Sequence, residues 1–318
     1  MAHDRRFRFG VICPGTHIGS AKEFTELARK AEALGYSTLF VPDHFVEHPL
    51  APTVALAHAA AVTTTLRVGP LVLGNDYRHP VVLARDMATL DVLSNGRLEL
   101  GIGAGWMTVD YEKSSIPLDR PGVRIARLAE SIDVLKGLFA PGDFTYIGDH
   151  YQVRELDGQP KPVQQPLPFL VGGGGRKILA LAAREADIVG VNANLRSGVG
   201  ESPDSVASLT STATDQKLQW LREAAGTRFA ELEIQTLVGF THITSTADEA
   251  TPIFEGMAGH FKVTPADARM APVTLVGTES QIEELLEARR ERWEMSYVVV
   301  ESTAVDVFAP IVARLAGK

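Results

Sequence analysis

The stretch LRVGPLVLGNDYRHPVVLARDMATLDVLSNGRLELGIGAG, residues 66–105, decides the fold. It opens on a short apolar run (66–74), crosses a polar turn ending in His79-Pro80, reads as a helix over 81–94, and returns to an apolar run at 97–105. Two strands joined by a helix of that length lie parallel, because a tight hairpin cannot connect them. The alternation extends both ways. Upstream lie FRFGVIC (7–13), a helix over 23–35 ending at Gly35, STLFV (37–41) and a helix over 53–63. Downstream come a helix over 127–139, PFLVGGGG (168–175), a helix over 177–186 and ADIVGVN (186–192). LEIQTLVGFTHIT (232–244), a helix over 281–293 and MSYVVV (295–300) complete the series. Eight strand segments alternating with helices predict an α/β fold, the (β/α)8 TIM barrel, as a single domain over 1–318. A doubly wound Rossmann sheet is the alternative.

Such a barrel needs about 250 residues, so this chain of 318 carries insertions, expected near 106–126, 140–167 and 195–220. FTYIGDHYQV (144–153) reads as a hairpin around Gly148, and the Gly/Ser/Thr-rich piece 197–215 as a mobile loop. The net charge of −8, with no Lys/Arg cluster, argues against nucleic acid as a partner. No apolar run reaches 18 residues, so no membrane span is expected. The N-terminal MAHDRRFRFG lacks an apolar signal region, and the lone Cys13 sits in an apolar run as a buried small hydrophobe. Both features predict a cytoplasmic location.

The active site of such a barrel lies at the C-terminal ends of its strands. Strand two stops at Pro42, which cannot continue a ladder, and then presents Asp43, His44, Glu47 and His48. Strand three ends in Asn75, Asp76, Arg78 and His79, strand four in Trp106, strand five in Gly172, Gly173, Gly174 and Gly175, and strand six in Asn192. The four glycines precede a helix opening with Arg176 and Lys177, which reads as a phosphate cradle or as a flexible turn. GIGAG (101–105) fails the dinucleotide fingerprint. It reads as backbone at Gly103 and Gly105 approached by a flat ligand, with Trp106 as a wall or a core tryptophan. A metal on Asp43, His44 and His48 is a further possibility, but no H-x-H pair or His-Cys cluster supports it. His79 reads as a turn-shaping residue, and the histidines at 3, 58, 150, 242 and 260 as structural or surface groups.

Taken in order, VPDHF (41–45), VGPLVLGNDYRHP (68–80), ELGIGAGW (99–106) with DYE (110–112), RIARLAESIDVLKGLF (124–139) and PFLVGGGG…LAAREADIVGVN resemble the bacterial luciferase-like flavin/deazaflavin superfamily. The resemblance spans about residues 7–195 and, more loosely, the last 40. GIGAGW and IPLDRPGVRIARL (116–128) are most similar to its actinobacterial coenzyme F420-dependent branch. It implies a coenzyme across the barrel mouth, with a non-proline cis peptide behind the ring at Leu71–Val72. It places Asp43 and His44 beside the ring and the glycines 172–175 on the coenzyme's tail and phosphate. His44 is then the acid/base, with Asp43 orienting it or bonding the coenzyme. Arg176, Lys177 and Arg78 would suit an acidic tail. Sugar-phosphate dehydrogenase relatives carry a glutamate where this chain has Trp106, which leaves the second proton carrier unassigned, with Asp110 and Glu112 unplaced.

The expected function is hydride transfer between F420 and a small organic substrate, as reduction of C=C or C=N, or more weakly as alcohol oxidation. An FMN-dependent monooxygenase is the alternative within the family. A coenzyme-binding barrel without turnover and a metal hydrolase are alternatives outside that activity. A homodimer is expected, for which TVALAHAAAV (53–62) would supply an apolar face, although the same face could pack on the barrel.

Overall fold

A computed structural model describes residues 5–318; His3 lies outside the described residues. The chain runs β1 (Arg8–Ile12), α1 (Ala21–Ala33), β2 (Thr38–Val41), α2 (Pro52–Val62), β3 (Arg67–Pro70), β4 (Leu73–Gly74), α3 (Pro80–Leu93) and β5 (Leu100–Gly103). It continues through α4 (Thr108–Ser114), α5 (Pro121–Phe139), β6 (Asp143–Ile147), β7 (Gln152–Asp157), β8 (Phe169–Gly173), α6 (Arg176–Glu185) and β9 (Ile188–Val191). Then follow α7 (Pro203–Ala207), α8 (Ser211–Ala225), β10 (Glu233–Val238), β11 (Phe240–Ile243), α9 (Ala250–Phe261), α10 (Pro265–Met270), β12 (Thr274–Gly277), α11 (Glu279–Trp293), β13 (Met295–Glu301) and α12 (Val305–Leu315).

The main sheet has nine segments in the order β3-β2-β1-β13-β10-β9-β8-β5-β4, all paired in parallel. β3 and β4 are two halves of the predicted third strand, interrupted by the cis Leu71–Val72 bond. β3 pairs with β2 on one side, β4 with β5 on the other, and a Val68–Leu98 bridge joins the two ends. The ring therefore closes on eight strand positions, which disposes of the open Rossmann alternative.

Strand alternation fills the ring from inside and outside. Val298 and Val300 of β13 belong to the large core between sheet and helices, while Tyr297 and Val299 join Ile12, Phe40, Leu71, Leu170 and Ile188 inside the barrel. At the N-terminal end of the ring, Glu99 (1% exposed) accepts from Arg8 Nη1 at 2.5 Å, Arg67 Nε at 2.8 Å and the Tyr297 hydroxyl at 2.9 Å. Arg8 also pairs with Glu233 and lies over the Tyr297 ring. The α2 face built from Ala55, Leu56, Ala59 and Ala60 is buried within this chain, leaving Val54 of the apolar stretch exposed.

Three expectations need correction. The predicted strand over 232–244 breaks at Gly239. β10 stays in the barrel, and β11 leaves it to pair with β12 in a separate two-stranded sheet. β12, α9 and α10 form an insertion that the alternation of patterns does not reveal. The segment 197–215 is not simply a loop: Ser202 and Thr210 accept hydrogen bonds from the N–H groups of Ser205 and Ala213, capping α7 and α8. Serines and threonines that read as loop composition are there as helix caps. The predicted insertion 106–126 likewise holds α4 and the first turns of α5. The hairpin around Gly148 is present, with β6 and β7 antiparallel.

One exterior carboxylate fixes the approach to β3. Glu32 Oε1 accepts from the N–H groups of Thr64, Thr65 and Leu66 at 2.8, 2.6 and 3.0 Å. Burial pushes this carboxyl up, but the N–H donors of Thr65, Leu66 and Thr64 outweigh it and hold the group down at about 2. A depressed folded-state value contributes stability above the unfolded glutamate value of about 4.3, lost as pH falls toward 2. Glu32→Gln is therefore expected to flatten the acid limb of a stability–pH profile between about pH 4.5 and 2. An unchanged limb in denaturant titrations would refute this role.

Candidate active site

The C-terminal strand ends meet at one mouth, and its best-ordered chemistry lies just past β2. His44 Nδ1 is 2.5 Å from Asp110 Oδ2. Asp110, on α4, is fully buried, and its other oxygen accepts the N–H groups of Phe45 and Val46 at 2.9 and 3.0 Å. The Tyr77 hydroxyl reaches Asp110 Oδ2 at 3.4 Å. A carboxylate so held keeps the proton on Nδ1, turning Nε2 into the side of the ring that can accept or give one. The His44 side chain is 17% exposed.

Trp106 stands edge-on to the His44 ring, with centroids 5.4 Å apart at 78°, and His48 lies 5.2 Å from it on another side. Trp106 is half-buried and walls His44 rather than sitting in the core. Burial, with His44 close by, pushes the His48 imidazole down, favouring its neutral form, and His48 Nδ1 lies 3.3 Å from the Pro14 carbonyl.

Asp43 does not orient His44, one of the two tasks expected of it. Its carboxylate takes Arg78 through both guanidinium nitrogens (2.5 and 2.9 Å) and the Gly74 N–H at 2.9 Å. It therefore pins β4 to the end of β2, and Asp110 is the residue that orients His44. Arg78 is correspondingly spent on Asp43 and does not join a cationic cluster. Of the other two expected cations, Arg176 lies 3.5 Å from Glu223 and Lys177 is exposed. His79 caps α3, accepting from the Val81 N–H.

The glycines divide by cause. A Cβ on Gly103 would stand 2.8 Å from Val72, and one on Gly105 only 1.8 Å from the Tyr111 hydroxyl. Gly105 also has φ +72°, so both steric room and backbone demand glycine there. The close approach at GIGAG is thus made by the protein's own side chains. Gly173 and Gly174 are likewise demanded by Ile178 and by the Ala193 backbone. At Gly172 and Gly175, however, a Cβ would meet its nearest neighbours at 3.6 and 3.8 Å, ordinary van der Waals contact, so packing does not demand glycine at these two. Gly175 starts α6 without a side-chain cap, leaving that helix's first N–H groups for a ligand or solvent. A cradle of this kind fits a phosphate-bearing coenzyme.

Several contributors escaped sequence reasoning. Asp110 lay in a quoted segment, but nothing in its spacing says that α4 returns it beneath His44. Arg124 donates to the carbonyls of Ala104 and Gly105 and holds the turn carrying Trp106. Lys217, buried on α8, donates to the Asn192 and Ser208 carbonyls at 2.6 and 2.5 Å. Burial pushes this amine down to about 8. Among the described residues no group of three or more His, Cys, Asp or Glu is placed to hold a metal, and no helix is long and apolar enough to cross a membrane.

The structure is thus a closed parallel (β/α)8 barrel with a carboxylate-oriented histidine and a glycine-lined helix terminus past its strand ends. The family described as luciferase-like monooxygenase matches residues 7–262, and the chain belongs to that family. It is 33% identical over 174 residues to an F420-dependent glucose-6-phosphate dehydrogenase of Amycolatopsis mediterranei, covering 52% of each chain. It is 30% identical over 189 residues to an FMNH2-dependent dimethylsulfone monooxygenase of Pseudomonas fluorescens, covering 57% of this chain and 50% of that one. The chain spans less than two thirds of the length of the curated relatives it matches at 33% identity. In fold it is similar to the coenzyme F420-dependent tetrahydromethanopterin reductase of Methanopyrus kandleri, with a TM-score of 0.76, 18% identity, and 98% and 100% of the two chains covered.

Proposed function

We propose that this chain is a coenzyme F420-dependent oxidoreductase that reduces a C=C or C=N bond of a small organic substrate. The observation that carries the reading is the His44–Asp110 pair, on a barrel whose strand ends also carry the glycine-lined start of α6. When bound, the reduced deazaflavin supplies a hydride, that is, two electrons and one hydrogen nucleus. His44 takes or returns the accompanying proton at Nε2, and Asp110 stabilises the imidazolium that results. Leu71 and Val72 would support the ring, Gly172, Gly175 and the first N–H groups of α6 would hold phosphate, and Lys177 would meet an acidic tail. Trp106 shields the reacting face from water.

The FMN-dependent reading is favoured by one observation: a relative of similar identity uses FMNH2. Titrating the protein with F420 and, separately, with FMN, followed by tryptophan fluorescence, separates the two. Micromolar binding of F420 with weak FMN binding is the expected result. A preference for FMN would transfer the site to oxygen chemistry, and binding of neither would overturn the cradle. Assembly into a homodimer and a cytoplasmic location complete the proposal.

A further inference from the structure

We infer that Glu301, at the end of β13, is the group that delivers a proton to the substrate, so that the mouth carries a second proton-moving side chain beside His44. This assignment rests on the functional reading above. Strand alternation aims Glu301 inward: Tyr297 and Val299, four and two residues earlier, lie inside the barrel, and Val298 and Val300 lie outside it. Glu301 is in register with Ile12, whose side chain is also inside. As the last residue of β13 it therefore tops the interior column and borders the mouth. It is half-buried. Among the described residues its carboxyl makes no hydrogen bond or ion pair, unlike Glu99 and Glu233 at the other end of the barrel.

The surroundings leave this carboxyl available. Among the described residues the titratable group acting on it is His17, in the loop after β1, whose Nε2 lies 3.2 Å from the Ser302 hydroxyl. Burial pushes the Glu301 carboxyl up, and His17 opposes that only in part. Cys13, which also bonds Ser302, is itself pushed up by burial and stays a neutral thiol. The sheet order β2-β1-β13 places Glu301 and the end of β2 on either side of β1, roughly 10 Å apart across two strand spacings.

The proton balance closes. The substrate's double bond gains a hydride on one atom, and its π electron pair takes the Glu301 proton on the other. His44 takes the proton that the coenzyme gives up on oxidation, so one group ends a proton richer and the other a proton poorer. Exchange with solvent resets both.

The test compares wild type with Glu301→Gln and Glu301→Asp in the full chain. Infrared difference titration of the coenzyme-free protein is expected to show a carboxyl titrating above the ordinary glutamate range, absent from E301Q. Both variants are expected to bind F420 as wild type does. E301Q is expected to lose about 10²–10⁴-fold in turnover of reduced F420 with a cyclic enone or imine. It also loses the limb of the pH–rate profile on which activity falls with rising pH, and E301D recovers part of both. If wild type binds or turns over nothing, the functional reading falls and this assignment with it. If wild type works while E301Q keeps its rate and pH profile, or if no raised carboxyl is found, this assignment alone falls.

Discussion

Replacing His44 with asparagine is expected to lower turnover by about 10²–10⁴-fold while leaving F420 affinity within a few-fold of wild type. Asparagine keeps a hydrogen-bonding group near Asp110 but cannot exchange a proton at neutral pH. The loss should therefore fall on kcat rather than on KM. Asp110→Asn is expected to act through His44. It removes the acceptor that fixes Nδ1–H, and it weakens the two N–H bonds that shape the chain at Phe45 and Val46. Its signature is a shifted pH–rate profile together with reduced kcat. If H44N retained full turnover, the acid/base role would pass elsewhere in the mouth.

The second large effect lies at the opposite end of the barrel. Glu99→Ala should cost about 3–5 kcal/mol, because it strands buried partners rather than merely deleting a contact. Arg8 and Arg67 both point at the same buried oxygen, and the Tyr297 hydroxyl at the other. With Glu99 gone, Glu233 still serves Arg8, but Tyr297 loses its acceptor and Arg67 its carboxylate. The expected readout is a lower denaturant midpoint with an unchanged slope. A loss under about 1 kcal/mol would mean that solvent enters this end of the barrel and screens the cluster.

Periodicity alone revealed the barrel, because parallel strands buried on both faces and helices of regular spacing leave their pattern in the chain whatever the packing. Pro42 and the polar residues after it marked the mouth for the same local reason. The pattern ran out where the chain departs from strand–helix repetition. Gly239 hands β11 to a second sheet, and the caps Ser202 and Thr210 make helices out of residues with loop composition.

Within the site, residues 39–48 presented His44 as a titratable group at a strand end, but adjacency in sequence could not say which carboxylate orients it. Asp43 and His44 are neighbours along the chain, and consecutive strand residues point to opposite sides. Asp43 turns to Arg78 and the Gly74 N–H, while His44 is met by Asp110, which is 66 residues further on. Hydrophobic pattern is a property of each segment by itself, so the sequence determined the strands, the mouth and the histidine. Which carboxylate holds that histidine, which glycines the packing demands and which acid tops the β13 column depend on distances between segments remote in the chain. Only the closed barrel decides those.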